Sequence, residues 1–284
     1  MNDIRVDLRC FPCFIRQVVL SLEAAGDGKQ GWHDLMRDVL EIIQRADYDL
    51  SPAHTTTTLH RRVREFIGYD PYTRKKRVSN EKAMRLLPMM RRIVREDRDP
   101  LYRTAVIAIA GNSIDFGIFS DVDITEELER AREERPVIDE YERFSDILRK
   151  SPSVLYLLDN AGEIVFDRIL IEELIARGKD VTAVVRGGPV LNDVTMEDAV
   201  YTGIDGLCMV IGNGSDGVGT PLGECSEEFL SAFRDAPLVI SKGQANFETL
   251  YGSREGIVYL FRAKCDVVAD LLGIGKGSMV LKVR

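Results

Sequence analysis

The feature that most constrains this chain is a short apolar run, Val154 to Leu158, that stops abruptly at Asp159-Asn160-Ala161-Gly162-Glu163. A helical repeat follows at once through Ile164, Val165, Ile169, Leu170, Leu174 and Ile175, and Gly178 stops it. An apolar run, a polar turn and an amphipathic helix read as the first unit of a parallel sheet. Ligands in such sheets bind outside the carboxyl ends of the strands, where Asp159, Asn160 and Glu163 fall. Adjacent hard oxygen donors, with an acid opening the next helix, suit a divalent cation. The same residue types also serve as plain turn and cap residues, so the motif alone does not decide.

The alternation then repeats. Strands are expected at Asp180–Val185, Leu207–Ile211, Pro237–Ile240, Gly256–Phe261 and Met279–Val283, with helices starting near Thr195 and Ser226. This pattern predicts an α/β fold, a doubly wound, mostly parallel sheet. Upstream, residues 14 to about 98 carry only helical periodicity, which divides the chain into a helical N-terminal subdomain (1–98) and an α/β domain (99–284). Leu101–Ala110 fits helix and buried strand equally. The charge-rich stretch 124–150 reads as solvated helix and connector, and Arg74-Lys-Lys-Arg77 as a solvated helix face. His33, His54 and His60 lack metal spacing and read as surface or core residues.

Each unusual polar cluster follows an expected strand: Asp159-Asn160, Asn192-Asp193, the Gly212 loop and Lys242. In a parallel sheet these ends share one edge, whereas ordinary turns would be spread over both. Asp159, Asn160 and Asp193 then form an incomplete oxygen cage of the kind Mg²⁺ or Mn²⁺ prefers. Neighbours on an extended strand point to opposite faces, so Asp159 and Asn160 share an ion only if the strand ends between them. Lys242, beside Gly243, offers a fixed positive charge for a phosphate. Metal, lysine and amides at one edge suit phosphoester hydrolysis. Gly212-x-Gly214-x-x-Gly217 spells a dinucleotide fingerprint, but the Gly, Pro and Thr that follow do not open a helix.

Composition narrows the classes. A formal charge of −8 argues against general nucleic-acid binding. No apolar run is long enough to span a membrane, and the charged N-terminus is no signal peptide. Five scattered cysteines make no disulfide framework, which points to a cytoplasmic protein. Cys10-x-x-Cys13 has no second pair for a zinc site and reads as buried thiols at a helix start.

Four stretches together resemble the damage-control phosphatases, a family first catalogued as domain of unknown function eighty-nine: Gly111-Asn-x-x-Asp115, Asp159-Asn-Ala-Gly-Glu163, Arg186-Gly-Gly-Pro-Val-Leu-Asn-Asp193 and Lys242-Gly-Gln-Ala-Asn-Phe-Glu248. The compact length and early Cys10-x-x-Cys13 resemble the small prokaryotic members. The resemblance implies a helical N-terminal portion on an α/β domain. It implies hydrolysis of phosphate monoesters of small, damaged or side-product metabolites with one divalent ion, Mn²⁺, Mg²⁺, Co²⁺ or Ni²⁺. It places the metal on Asp159, Asn160 and Asp193, and the phosphate-binding lysine at Lys242. Asp159, Asp193 and Asp115 are the expected catalytic carboxylates, and Asn112, Glu163, Arg186 and Lys242 the expected substrate-binding set. The family's sugar-phosphate branch carries Arg-Thr-x-Lys; here Arg103-Thr104-Ala105 runs into Val106. The competing expectation is a non-catalytic sensor of a phosphorylated metabolite or nucleotide at the same edge.

Overall fold

A computed structural model describes residues 4–26, 30–112 and 133–284. Among them the sheet has seven strands: β1 (Ile138–Asp139), β2 (Ser153–Leu157), β3 (Asp180–Val185), β4 (Met209–Gly212), β5 (Val239–Lys242), β6 (Ile257–Arg262) and β7 (Met279–Val283). Their order is β1-β7-β6-β5-β2-β3-β4, and all pairs are parallel except β6 with β7. The expected mostly parallel α/β sheet is therefore what forms. Two strands begin two residues later than expected. Cys208 donates its N–H to Ile204 O, which keeps Leu207–Cys208 in the turn before β4. Pro237 has no N–H to give a ladder, and β5 starts beyond it.

The topology sets the site. From β2 the chain steps outward to β3 and β4, then returns to place β5 on the other side of β2. That reversal opens a crevice between the carboxyl ends of β2 and β5, the place where α/β sheets bind ligands. Asp159 follows one of these strands and Lys242 ends the other.

Helices α1 (Cys10–Ala25), α2 (Trp32–Arg45), α3 (Pro52–Ile67), α4 (Thr73–Met84), α5 (Leu87–Glu96) and α6 (Pro100–Gly111) precede the sheet. The ambiguous apolar stretch at 101–110 is thus helix. Then come α7 (Tyr141–Lys150), α8 (Glu163–Ala176), α9 (Met196–Thr202), α10 (Glu227–Asp235), α11 (Gln244–Leu250) and α12 (Asp266–Leu272). The expected helix starts hold: Thr195 and Asp198 form a capping box, and the Ser226 hydroxyl accepts from Phe229 N–H. Within 124–150 the described part contains a strand, β1, that charge patterning did not show.

Helix α8 is less amphipathic than its first few residues suggest. The sheet lies on one side and α4, α5 and α6 on the other, so Phe166, Leu170 and Ile171 are all buried. Helices α6 and α8 approach so closely that a β-carbon on Gly111 would lie 2.7 Å from Phe166 Cβ. Gly111 is therefore a packing residue as well as a helix end.

Helices α1 to α3 gather a separate apolar cluster around Phe14, Val18, Leu35, Val39 and Leu59. Cys10 is buried there, but Cys13 is exposed, so only one of the two thiols is core. Among the described residues no helix is long and apolar enough to cross a membrane.

His60 sits within this helical layer, its ring between Ser21 Oγ (3.4 Å) and Gln17 Oε1 (3.2 Å). Burial first, then the Arg64 charge, lowers its pKa from the ordinary 6.5 to about 4. The folded protein keeps this imidazole neutral, so the unfolded chain takes up the proton first as pH falls. Stability is therefore unaffected by His60 above pH 6.5 and drops by up to about 3 kcal/mol between pH 6.5 and 4. Urea denaturation at pH 7 and pH 5 should show this acid loss in the wild type and a smaller one in His60→Gln; equal losses would contradict it.

Candidate active site

The site is built at the reversal point. Strand β2 ends at Leu157, and Leu158 and Asp159 continue it with altered pairing: Leu158 N–H donates to Val184 O, and Val194 N–H to Asp159 O. An isolated antiparallel bridge joins Asn160 to Asp193. The Asn192-Asp193 loop is thereby folded back onto the end of β2. Leu191, just before it, has φ 47°, a backbone region that a branched side chain seldom adopts. Its side chain packs with Ala53, Val190 and Val218, which holds the turn in place. The turn after Asn160 is fixed from the helical layer: Asn80 on α4 accepts from Gly162 N–H at 2.7 Å and donates to Asp198 at 2.8 Å.

Two networks meet here. In the first, Arg186 at the end of β3 donates to Asp193 (2.7 Å), Asp159 (3.4 Å), Asn246 (3.1 Å) and Thr220 (3.3 Å). In the second, the Lys242 ammonium donates to Glu163 (2.7 Å), Asp167 (2.5 Å) and Ala108 O (2.8 Å), and the Tyr156 hydroxyl donates to the same Asp167 oxygen (2.9 Å). The two are linked by amides. Asn112 donates to Asp159 Oδ2 (3.2 Å) and Glu163 Oε2 (2.7 Å), and Asn160 donates to the same two oxygens at 2.5 and 3.0 Å. The Asn160 amide can reach the Asp159 carboxylate because regular β2 pairing has already ended at Leu157.

The electrostatics follow from crowding. Burial, then the charges of Asp193 and Glu163, pushes the Asp159 carboxyl up to about 8. Burial also raises Asp193, against the pull of Arg186. Glu163 lies below the ordinary range: burial is the largest influence and acts upward, but the Lys242 and Lys264 charges and the hydrogen bonds from Lys242 and Asn160 together outweigh it. Burial would lower Lys242, yet Asp167 and Glu163 hold its pKa above that of a free lysine. Within these two networks the carboxyl groups are Asp159, Glu163, Asp167 and Asp193, and the cations bonded to them are Arg186 and Lys242. With all four carboxyls ionised the shell would be short of two positive charges, and burial answers that shortfall by raising Asp159, Asp193 and Asp167 toward their neutral forms.

Above it opens a cleft of about 470 Å³, lined by Asn112, Asn160, Glu163 and Asn192 on its floor side. Lys75, Arg262, Lys264 and Lys276 also line it.

The family model for the damage-control phosphatase ARMT1-like domain matches residues 6–280. The chain belongs to the damage-control phosphatase family. An uncharacterised protein of Methanocaldococcus jannaschii is 36% identical over 100% of this chain and 97% of its own. A damage-control phosphatase of Archaeoglobus fulgidus is 35% identical, covering 99% of both. The crystal structure of a DUF89 family protein from Pyrococcus horikoshii superposes with a TM-score of 0.92 at 31% identity, covering 99% of each chain.

For this damage-control phosphatase family member, the fold brings Asn112, Asp159, Asn160, Glu163, Arg186, Asp193 and Lys242 together as the sequence suggested. Asp115 lies outside the described residues. Two of these side chains do not line the cleft. Arg186 is 4% exposed and its guanidinium bonds to Asp159, Asp193, Thr220 and Asn246, so here it organises carboxylates. Lys242 is fully buried with all three ammonium protons committed, so it does not face the cleft.

The sequence reading also passed over Lys75, Asn80 and Asp167. The basic run Arg74–Arg77 is no plain solvated face: Lys75 lines the cleft, and Lys76 is buried near Asp70 (3.6 Å) and Asp198 (3.4 Å). Asp167 carried a signal, an acid four residues after Glu163 on an otherwise apolar helix face. The Gly212 loop does not open a helix. Asn213 accepts from Gly187 and Ser215 N–H, and Arg61 and Arg64 pair with Asp216, so this loop anchors α3.

Gly243 sets the tightest contact. At φ 80°, ψ 156° its backbone suits glycine alone, and a β-carbon there would lie 2.0 Å from Asp159 Oδ2. Gly243→Ala should cost about 2–4 kcal/mol in urea denaturation, from strain and overpacking together. In a double-mutant cycle with Asp159→Ala, the part due to the carboxylate contact should disappear. Strict additivity would show that the two residues do not press on each other.

Proposed function

We propose that this chain is a metal-dependent phosphatase that hydrolyses phosphate monoesters of small, damaged or side-product metabolites. The observation that carries the reading is the crowding of the buried shell: four carboxyl groups share Arg186 and Lys242. One divalent cation would balance all four in their ionised form, whereas without it burial favours neutral carboxyls, because unpaired charges at such depth cost several kcal/mol each. Among the described residues no three His, Cys, Asp or Glu side chains form a ready metal cage. The donor set that fits is instead mixed, two carboxylates and an amide: Asp159, Asp193 and Asn160, with the amide oxygen of Asn160 turned inward. Such hard oxygen donors suit Mg²⁺ or Mn²⁺, with Co²⁺ or Ni²⁺ as substitutes. When bound, the ion supplies Lewis acidity that polarises a phosphoryl oxygen and acidifies a water.

The chain's own residues do the rest. Arg186 holds Asp159 and Asp193 in fixed orientation, so on loading the side chain that would turn is the Asn160 amide. Asn112 locks Asp159 to Glu163 through one amide. Glu163 borders the cleft almost wholly buried, one oxygen taken by Lys242 and the other by Asn112 and Asn160, so it holds those donors in place. The cleft is of a size for a small metabolite.

Release of phosphate from an aryl phosphate by the purified protein, with each of the four metals or with chelator, tests the reading. Turnover should require a divalent ion, and Asp193→Asn should lower kcat/KM by more than about a hundredfold while melting near the wild-type temperature. Full activity in chelator, or in Asp193→Asn, would remove the metal assignment. Metabolite binding in chelator with no turnover under any metal would favour the sensor.

A further inference from the structure

Lys242 meets more counter-charge than a buried lysine needs. Its ammonium touches two carboxylates, Glu163 Oε1 (2.7 Å) and Asp167 Oδ1 (2.5 Å), and one neutral acceptor, Ala108 O (2.8 Å). One carboxylate balances one ammonium, and a carbonyl or hydroxyl oxygen serves the remaining protons at lower desolvation cost. The second carboxylate therefore adds a buried charge that the lysine alone does not call for. Asp167 has no exposed surface, and burial pushes its carboxyl up to about 7 in spite of the ammonium beside it.

The bonding of Asp167 is one-sided. Its Oδ1 accepts from Lys242 and from the Tyr156 hydroxyl (2.9 Å), while Oδ2 is buried with no hydrogen-bond partner among the described residues. An amide oxygen could accept both of these hydrogen bonds. What an amide would not supply is the negative charge. Glu163 stands on the other side of the ammonium, and its Oε2 accepts from Asn112 (2.7 Å) and Asn160 (3.0 Å), which both also donate to Asp159. Paired with Lys242 alone, Glu163 would have its charge cancelled. With Asp167 balancing the ammonium, the charge of Glu163 remains on the side of Asn160 and Asp159.

We propose that Asp167 is a positioning residue of the metal site, acting through Lys242: it balances the buried ammonium so that Glu163 adds its negative charge to the field at Asp159, Asn160 and Asp193, where the divalent cation would sit. The proposal rests on the metal-dependent phosphatase reading above. It sets Asp167 apart from a residue that merely fills the core, because its charge costs the isolated protein stability and benefits the loaded one.

The test compares the wild type, Asp167→Asn and Tyr156→Phe by calorimetry with Mn²⁺, by melting in chelator, and by hydrolysis of an aryl phosphate over a range of Mn²⁺ concentrations. Asp167→Asn keeps the shape of the side chain and exchanges one unpartnered polar atom for another. It leaves Lys242 paired with Glu163, so the usual cost of breaking a buried pair does not arise. This variant should melt in chelator at the wild-type temperature or above. It should bind Mn²⁺ about ten- to a hundredfold more weakly, and excess Mn²⁺ should restore most of its turnover. Tyr156→Phe removes a hydrogen bond and no charge, so it should melt lower yet bind Mn²⁺ within about twofold of the wild type. With a wild type that binds Mn²⁺ and hydrolyses the ester, three results would each overturn the proposal and leave the phosphatase reading standing: wild-type Mn²⁺ affinity in Asp167→Asn, failure of that variant to fold, or equal weakening in Tyr156→Phe. A wild type that neither binds Mn²⁺ nor hydrolyses the ester overturns both.

Discussion

The site depends on one buried ammonium. Lys242 has no exposed surface, and its three donors tie β5 to α8 through Glu163 and Asp167 and to α6 through Ala108 O. Taking such a charge out of water costs several kcal/mol, and the cost is offset only if each proton finds an acceptor. Removing one partner of a buried pair typically destabilises by about 3–5 kcal/mol. The elements joined are those that must be held in register: the two helices packed at Gly111 and Phe166, and the strand beside β2. Asn112 follows α6 directly, so its hold on Asp159 and Glu163 inherits the precision of that joint.

Around this joint the acidic groups are kept apart in role by their neighbours. Glu163 and Asp167 share one lysine, while Asp159 and Asp193 share one arginine. Two amides, Asn112 and Asn160, stand where further cations would make the shell neutral. An amide gives hydrogen bonds without cancelling charge, so it keeps the carboxylates oriented and leaves the deficit open. A shell neutralised entirely by lysine and arginine would be more stable as an isolated protein and would have no electrostatic call for an added ion.

What was legible in the sequence was whatever depends on neighbours in the chain. The end of β2, the Asn192-Asp193 turn and Lys242 announced themselves because polar residues follow apolar runs directly, and a parallel sheet collects such ends on one edge. The roles were less legible than the positions. Nothing local distinguishes a lysine that points into a cleft from one enclosed by two carboxylates, and Lys242 and Lys264 differ in just this way. Asp167 was readable as an acid inside an apolar helix face, because its partner Glu163 lies one turn away. Asn80 was not, since Gly162, the group it accepts from, is 82 positions away in the chain. Lys75 was hidden for a related reason: a basic run on a helix reads as solvated until the surface opposite is known.

The helical layer is thereby part of the candidate site and no mere appendage to the sheet. Helix α4 presents one face to the cleft with Lys75 and Ser79 and the next to the turn with Lys76 and Asn80, each pair spaced by four residues. Asn80 takes the N–H of Gly162, the residue before α8, and so caps from outside the helix that carries both Glu163 and Asp167. The α/β portion supplies the carboxylates, but the angle at which α8 leaves β2 is fixed by a side chain from α4. The same helix supplies a cation and a hydroxyl to the cleft. Electrostatic focusing adds a reason for that arrangement: on a surface of net negative charge, a cleft rimmed by lysines is a region to which an anionic ligand is drawn, and low-dielectric walls strengthen the pull. Under the proposed phosphatase reading, an acidic floor beneath a basic rim would separate two tasks, attraction of an anion at the mouth and retention of a cation below, that a cleft of one sign could not perform together.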